Sequence, residues 1–318
     1  MADKMAIGIV IVNWNAGEQL KNCLYSIIQY HSDVVDKVII IDNNSNDDSI
    51  ENILMLETDA FDINIIRENE NLGFGKACNV ASEKVTSKYI LFLNPDAQIY
   101  SGTLKQVVDC MEAYDDIGVC GIKLIDSFGN IQRHCTVQPK LKHYFNHATG
   151  LSTISSRLFP YIFLKNFNYD RDGDVPHTIG AFYCIRNNLF KELNGFDELF
   201  FVYLEDLDLS RRVMQKGYRI RYLASASAFH RGGGTSEKVK ALRLFYSLRS
   251  RILFGFKHFS LLQAYVLVFL TLCVEFITRS LRCLIRFSLS DFHNTCEAYK
   301  NLIKELPKIV KKGLEIND

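Results

Sequence analysis

The sequence has almost no net charge: 37 Lys and Arg stand against 36 Asp and Glu, a formal +1. That balance gives no support for nucleic-acid binding, which needs a basic surface. C-x-x-C pairs are missing as well. The 9 cysteines are an odd number, and their spacing suits neither a zinc site nor a disulfide framework. Cys120 and Cys184 fall inside apolar runs, where a free thiol packs as a small hydrophobe. A reducing compartment is therefore expected. The features of a secretory signal are lacking too, since the apolar run 6–12 is short and ends in Asn13-Trp14-Asn15.

What is present is the composition of a folded chain. Of 318 residues 48% are hydrophobic and 23% charged, which argues against disorder. The length allows one large domain or two ordinary ones. Charge is unevenly spread: 240–318 holds 13 basic and 6 acidic residues, a net +7, so 1–239 carries about −6.

The first 125 residues alternate with a short period. Apolar runs at 7–12, 37–42, 63–67, 89–94 and 118–125 read as strands, and 17–30, 47–57, 73–85 and 103–114 as helices. This is the pattern of βα units around a parallel sheet covered on both faces. From 132 to 176 the pattern breaks into an aromatic-rich stretch without a clean period, expected to be an ordered functional loop. A strand over 177–186, a helix over 205–217 and a strand over 219–230 follow. Segment 240–257 reads as a basic helix. Residues 259–277 are nearly all apolar, the minimum length for a membrane span. Gln263 and Glu275 fall inside that run, and charge in lipid is costly. An interfacial helix with Arg279, Arg282 and Arg286 snorkelling explains the residues better. Burial against the body or a second subunit is the alternative.

Parallel α/β sheets bind ligands beyond the carboxyl ends of their strands. Three such ends carry polar clusters: Asn13-Trp14-Asn15, the run from Asp42 to Asp48, and Asn94-Pro95-Asp96. Each alone reads as a turn. Three at one sheet edge point to a ligand. Between them, 71–75 opens a helix whose free N–H groups suit an anion. The third glycine of the dinucleotide fingerprint is missing, as is the upstream glycine of a P-loop, so dehydrogenase and NTPase readings lose their diagnostic support. On the helix from 205, Glu205 and Asp208 share one side and Asp206 points elsewhere. The acids can serve the helix N-terminus, yet Asp206 is the candidate base. His230 ends a strand directly before Arg231 and three glycines, either as a structural residue or beside a phosphate.

Seven segments, in this order, resemble the family 2 glycosyltransferases with the GT-A fold, in particular their rhamnosyltransferase-like branch. They are IVNWN (11–15), VIIIDNNSNDDS (38–49), NLGFGKACN (71–79), LNPDAQI (93–99), IGAFYCIR (179–186), FDELFFVYLEDLDLSRRVMQKGY (196–218) and FHRGGGTS (229–236). The resemblance covers about the first 240 residues. It implies an α/β GT-A catalytic domain over 1–238, with a nucleotide-sugar half to about 125 and an acceptor half beyond. The helical, basic region 239–318 resembles a membrane-associating extension or would dimerise the protein.

By the same resemblance Asp42 would hydrogen-bond a pyrimidine base, with Asn13 and Asn94 on the same nucleotide side. Asn71, Gly73 and Asn79 would line it as well. Asp96 stands at the last acid of the family's D-x-D motif and His230 at a C-terminal histidine, so both would hold a divalent cation. Asn94 replaces the first acid of that motif, which should weaken Mg²⁺ or Mn²⁺ binding, and a His ligand tilts preference toward Mn²⁺. Asp206 matches the catalytic base, and Glu205 would orient the acceptor or the base. The implied reaction moves a sugar with inversion from a dTDP- or UDP-sugar, dTDP-rhamnose first, to a lipid-linked glycan. The implied place is the inner face of the plasma membrane. The stretch 139–169 or the glycines 232–234 would close over the site. A UDP-hexose transferase and a non-catalytic nucleotide-sugar binder remain as alternatives. Glu205, Asp206 and His230 count against the binder, because a binder needs no base.

Overall fold

The computed structural model describes residues 6–31, 33–56, 58–232 and 239–316. In chain order, β1 (Ile7–Asn13), α1 (Glu18–Tyr30), β2 (Val35–Asp42) and β3 (Asp62–Arg67) come first. They are followed by α2 (Phe74–Ser82), β4 (Tyr89–Leu93), β5 (Ala97–Ile99), α3 (Thr103–Ala113) and β6 (Ile117–Ile125). The middle of the chain forms α4 (Leu141–Ala148), α5 (Leu151–Ile154), β7 (Gly173–Asp174), β8 (Phe182–Arg186) and α6 (Asn187–Glu192). Then come α7 (Glu205–Gln215), β9 (Arg219–His230), α8 (Lys240–His258), α9 (Leu261–Phe269), α10 (Phe276–Ile285) and α11 (Leu289–Glu315).

Contacts group these elements into two compact units. One comprises 1–137, 164–198 and 205–235, and the other 138–163, 199–204 and 236–318. The chain thus passes between units several times, whereas the sequence suggested one break near 238. Aromatic and apolar side chains of 138–163 share the packing of the C-terminal helices, which the irregular local pattern could not reveal.

The first unit is built on a nine-stranded sheet in the order β3-β2-β1-β4-β8-β6-β9-β5, with β7 on β9. Pairs β1–β2, β1–β4, β2–β3 and β6–β9 are parallel. β8 runs antiparallel to both β4 and β6, and β5 antiparallel to β9. The α/β expectation stands, and the sheet is mixed rather than parallel throughout. Along β1, Ile7, Ile9 and Ile11 enter one core cluster and Val10 and Val12 the other. Burial on both faces is why this strand reads as an unbroken apolar run.

Several expected boundaries move. The helix expected over 47–57 is reduced to turns and a short 3₁₀ segment, Glu51–Ile53, because Asn and Asp side chains bond the backbone of this stretch instead. Ser49 N–H, for instance, donates to Asp47. The strand expected from 177 starts only at Phe182. Strand β5 is too short to show a period.

An aromatic cluster positions the site elements. Phe92 of β4 meets Phe196 edge-on at 4.8 Å, and Phe74 at the start of α2 meets Phe196 at 6.0 Å. Such pairs contribute about 0.5–1.5 kcal/mol each beyond their buried area. They hold α2 and the turn before α7 against one sheet edge.

In the second unit α8 packs along α11, where Gly313 lies directly on Phe256. The segment Leu261–Ile285 is long and apolar enough to cross a membrane. Its Glu275, however, is buried and ion-paired with Arg251 of α8. Arg279 reaches the same carboxylate at 2.7 Å and His147 of α4 at 3.6 Å. Burial pushes the Glu275 carboxyl up, but the two guanidinium groups outweigh it and hold it down to about 2.

Candidate active site

Strands β1 and β2 end level with one another, Asn13 opposite Asp42. The buried Asn13 amide donates to Asp42 Oδ1 at 2.7 Å and to Ser49 Oγ at 2.7 Å. Ser45 donates to the same Asp42 oxygen at 2.6 Å, and its N–H reaches Oδ2 at 3.2 Å. Asp42 is thereby fixed with Oδ2 the less engaged oxygen. The Asn43 amide donates to the Gly73 carbonyl at 2.9 Å, which ties this edge to the start of α2. Gly73 takes φ 83°, a left-handed value open to glycine, and its N–H donates to Asn71 Oδ1 at 2.9 Å.

The third cluster follows β4. Asn94 N–H donates to the Ala181 carbonyl at 3.1 Å. The antiparallel direction of β8 therefore brings 179–181 to the edge where β1, β2 and β4 end. Ala97 of β5 lies opposite His230 of β9, and this pairing sets Asp96 Oδ1 3.5 Å from His230 Nε2. Both residues are buried. Gln132 clamps the histidine from behind: its Nε2 donates to the His230 carbonyl at 2.6 Å and its Oε1 lies 2.8 Å from Nδ1. Nδ1 then carries the proton, which leaves the Nε2 lone pair aimed toward Asp96.

A carboxylate oxygen and an imidazole nitrogen side by side are a donor set a divalent cation accepts, Mn²⁺ more readily than Mg²⁺. No cluster of three or more such ligands occurs among the described residues. The protein would supply two ligands, and the remaining positions would fall to phosphate and water oxygens.

Helix α7 opens with three acids whose environments differ. Asp208 is fully buried and its Oδ2 receives Arg212 Nε at 2.8 Å. Glu205 is buried beside Gly75 of α2, with Oε2 lacking a partner among the described residues. Burial pushes its carboxyl well above the usual range, and the neighbouring Asp206 adds to this. Asp206 alone keeps an open side, its side chain 16% exposed. Its Oδ2 accepts the Gly180 N–H at 2.7 Å and its Oδ1 the Leu207 N–H at 2.8 Å. Tyr203 and Leu204, just before the helix, adopt φ 68° and 71°. Two adjacent left-handed residues that are not glycine store strain of the kind found at working sites.

Asn79 is placed differently from the other candidates. Its amide donates to the Phe196 carbonyl at 2.9 Å and to Glu198 at 3.2 Å, and its Oδ1 accepts Phe196 N–H at 2.9 Å. Both ends are spent on the turn before α7. Residues 233–238, which include two of the three glycines considered for a lid, lie outside the described residues.

Five residues escaped the sequence reading. Gln132 lies in the aperiodic stretch and gives no local signal. His177, Tyr183 and Ser210 come together behind Asp206 only through the fold. His134, beside Tyr169 and Tyr222, is pushed by burial down to about 4.

Comparison with known proteins identifies the family and the fold. An L-rhamnosyltransferase of Mycobacterium tuberculosis, described as acting on N-acetylglucosaminyl-diphospho-decaprenol, is 24% identical over 240 residues. The match covers 70% of this chain and 75% of that protein. The O-antigen chain rhamnosyltransferase WbaN of Salmonella anatum is 26% identical over 225 residues, 70% of this chain and 65% of its own. In fold, the chain resembles the mannosyltransferase PcManGT of Pyrobaculum calidifontis, solved with GDP-Man and Mn²⁺, at TM-score 0.54 and 12% identity. That likeness spans 95% of this chain and 88% of the other, and the fold is GT-A. The glycosyl transferase family 2 sequence model matches residues 8–193. The chain belongs to glycosyl transferase family 2 and is a glycosyltransferase.

Proposed function

We propose that the chain moves rhamnose, with inversion, from dTDP-rhamnose to a hydroxyl of a lipid-linked or polysaccharide glycan, with Asp206 as base. The observation that carries this reading is the contrast within the first turn of α7. Glu205 and Asp208 are buried, whereas Asp206 is held by two backbone N–H groups and stays open on one side. The acceptor oxygen attacks the anomeric carbon as Asp206 takes its proton. The bond from that carbon to the diphosphate oxygen breaks, and the nucleoside diphosphate leaves with the bonding pair. One displacement inverts the carbon. Asp42 Oδ2 would accept the N3–H of a pyrimidine base, with Asn13 and Ser45 fixing the carboxylate. Asn94, Asn71 and Gly73 would line the nucleotide, and Glu205 would sit behind the base. Asp96 and His230 would hold a divalent cation, which neutralises the departing diphosphate when bound.

The names of the relatives support rhamnose and a diphospho-lipid acceptor. The reducing environment suggested by nine free cysteines and a nucleotide-sugar donor support the cytoplasmic side of a membrane. Region 239–318 would serve as the membrane-associating part and 1–238 as the catalytic part. On α9 and α10, Leu262, Phe269 and Ile285 are exposed, as interfacial binding requires. Pairing of two copies through these helices is the competing use.

Calorimetric titration with dTDP-rhamnose and UDP-hexoses, with and without Mn²⁺, tests the donor. Tight binding that depends on Mn²⁺ and is lost in Asp96→Ala is expected. Failure of every pyrimidine diphosphate to bind removes the roles given to Asp42 and Asp96. For the base, Asp206→Asn should lower kcat about 10²–10⁴-fold with donor binding retained. A rate near that of the parent removes Asp206 from the mechanism.

A further inference from the structure

Behind Asp206 lies a chain of buried polar groups that the sugar-transfer chemistry does not by itself require. His177 and Tyr183 are buried, and Ser210 of α7 is fully so. Tyr183 Oη lies 3.0 Å from Ser210 Oγ, and Ser210 Oγ lies 2.9 Å from His177 Nδ1. On its other side His177 Nε2 faces Asp206 Oδ2 at 3.8 Å. The elements involved are β8, α7 and the loop that precedes β8, so the chain links the sheet to the acid.

Hydrogen count fixes its direction. An ionised carboxylate only accepts, so an attractive contact requires the proton on Nε2. Nδ1 is then an acceptor and takes the single hydroxyl hydrogen of Ser210. The Ser210 oxygen is left to accept from Tyr183 O–H. Each group is oriented by the one behind it, and low local dielectric strengthens the series. Burial pushes the His177 imidazole down, in keeping with a neutral ring that carries one proton.

We propose that His177 is a positioning residue for sugar transfer, its Nε2–H held toward Asp206 by Ser210 and Tyr183. The inference rests on the reading of Asp206 as base. The Gly180 and Leu207 N–H groups occupy part of each oxygen, and His177 restricts how the carboxylate can rotate about them. A distance of 3.8 Å exceeds a hydrogen bond, and such contacts commonly shorten once substrate is bound. His177 touches neither sugar nor phosphate in this scheme. Its effect therefore belongs in kcat, not in donor affinity.

The test uses the full chain. His177→Phe keeps an aromatic ring without the donor, and His177→Gln returns an amide N–H to nearly the Nε2 position. The phenylalanine variant should lose roughly tenfold or more in kcat, the scale at which misplacing a reacting group is felt. Donor affinity by calorimetry should stay unchanged, and the glutamine variant should recover most of the rate. In an Asp206→Asn background His177→Phe should cost nothing further. Parental kcat in His177→Phe, a loss that glutamine does not recover, or a full additional loss on top of Asp206→Asn would overturn the proposal. Should the phenylalanine variant fail to fold, Ser210→Ala carries the test. It leaves the imidazole in place but removes its orienting partner, so a several-fold fall in kcat alone is expected and an unchanged rate overturns the idea. Failure of the base reading itself is distinguishable, since Asp206→Asn would then keep the parental rate.

Discussion

Three carboxyl groups in the first turn of α7 sit in three different environments, and burial sets Glu205 apart from Asp206. Glu205 is a carboxyl whose Oε2 has no partner among the described residues, in a place where ionisation is costly. The sign of its linkage follows. A group whose folded value is raised holds a proton that the unfolded chain releases, so its stabilising effect is complete below the ordinary carboxylate range. That effect is lost as pH rises toward the raised value. Glu205→Gln removes the titration. The variant should match the parent in melting temperature near pH 4 and exceed it at pH 8. A variant as alkali-sensitive as the parent would show that Glu205 ionises at little cost. Spacing along α7 already separated Asp206 from Glu205 and Asp208. The i,i+4 spacing also sets Arg212 beside Asp208, but no spacing could reveal that Asn79 is spent on the turn at Phe196, because that partner is set by folding.

At the level of elements, the chain shows where local pattern suffices. The runs at β1, β2 and β4 are apolar on both faces and were legible as buried strands. β8 has the same composition, and nothing in its residues says that it runs against its neighbours. That reversal delivers Gly180 to Asp206 and so helps to make the site. The segment Leu261–Ile285 gave a similar ambiguity between span and surface helix. Glu275 decides how it packs, since its carboxylate sits between Arg251 and Arg279. Glu275→Gln keeps the shape and leaves a buried guanidinium uncompensated, which should cost about 3–5 kcal/mol. A lower urea midpoint is the measure. No change would mean that the pair is dispensable and the helix is held by its apolar contacts.

For the molecule as a whole, the near-zero charge conceals two parts of opposite sign, and only the sum over segments exposes them. The +7 of 240–318 belongs with the exposed apolar side chains of α9 and α10. Vesicles with anionic lipid should therefore bind the protein more tightly than neutral ones, and less so as salt is raised. Replacing Arg282 and Arg286 by Gln should weaken that binding by about thirtyfold at low salt, from about 1 kcal/mol per charge. Equal binding to both vesicle types, with a dimer in sedimentation equilibrium, would assign this face to a second copy instead.

The passage of the chain between its two compact units also governs how the protein can be made. Residues 138–163 and 199–204 leave the ribosome long before α8 to α11, the helices with which they pack. During synthesis their aromatic side chains have nothing to bury against. A nascent chain stopped near 238 would hold the whole sugar-transfer sheet and still expose these segments. Emergence of α8 to α11, and not completion of the sheet, is then the step at which these segments gain the surface that buries them.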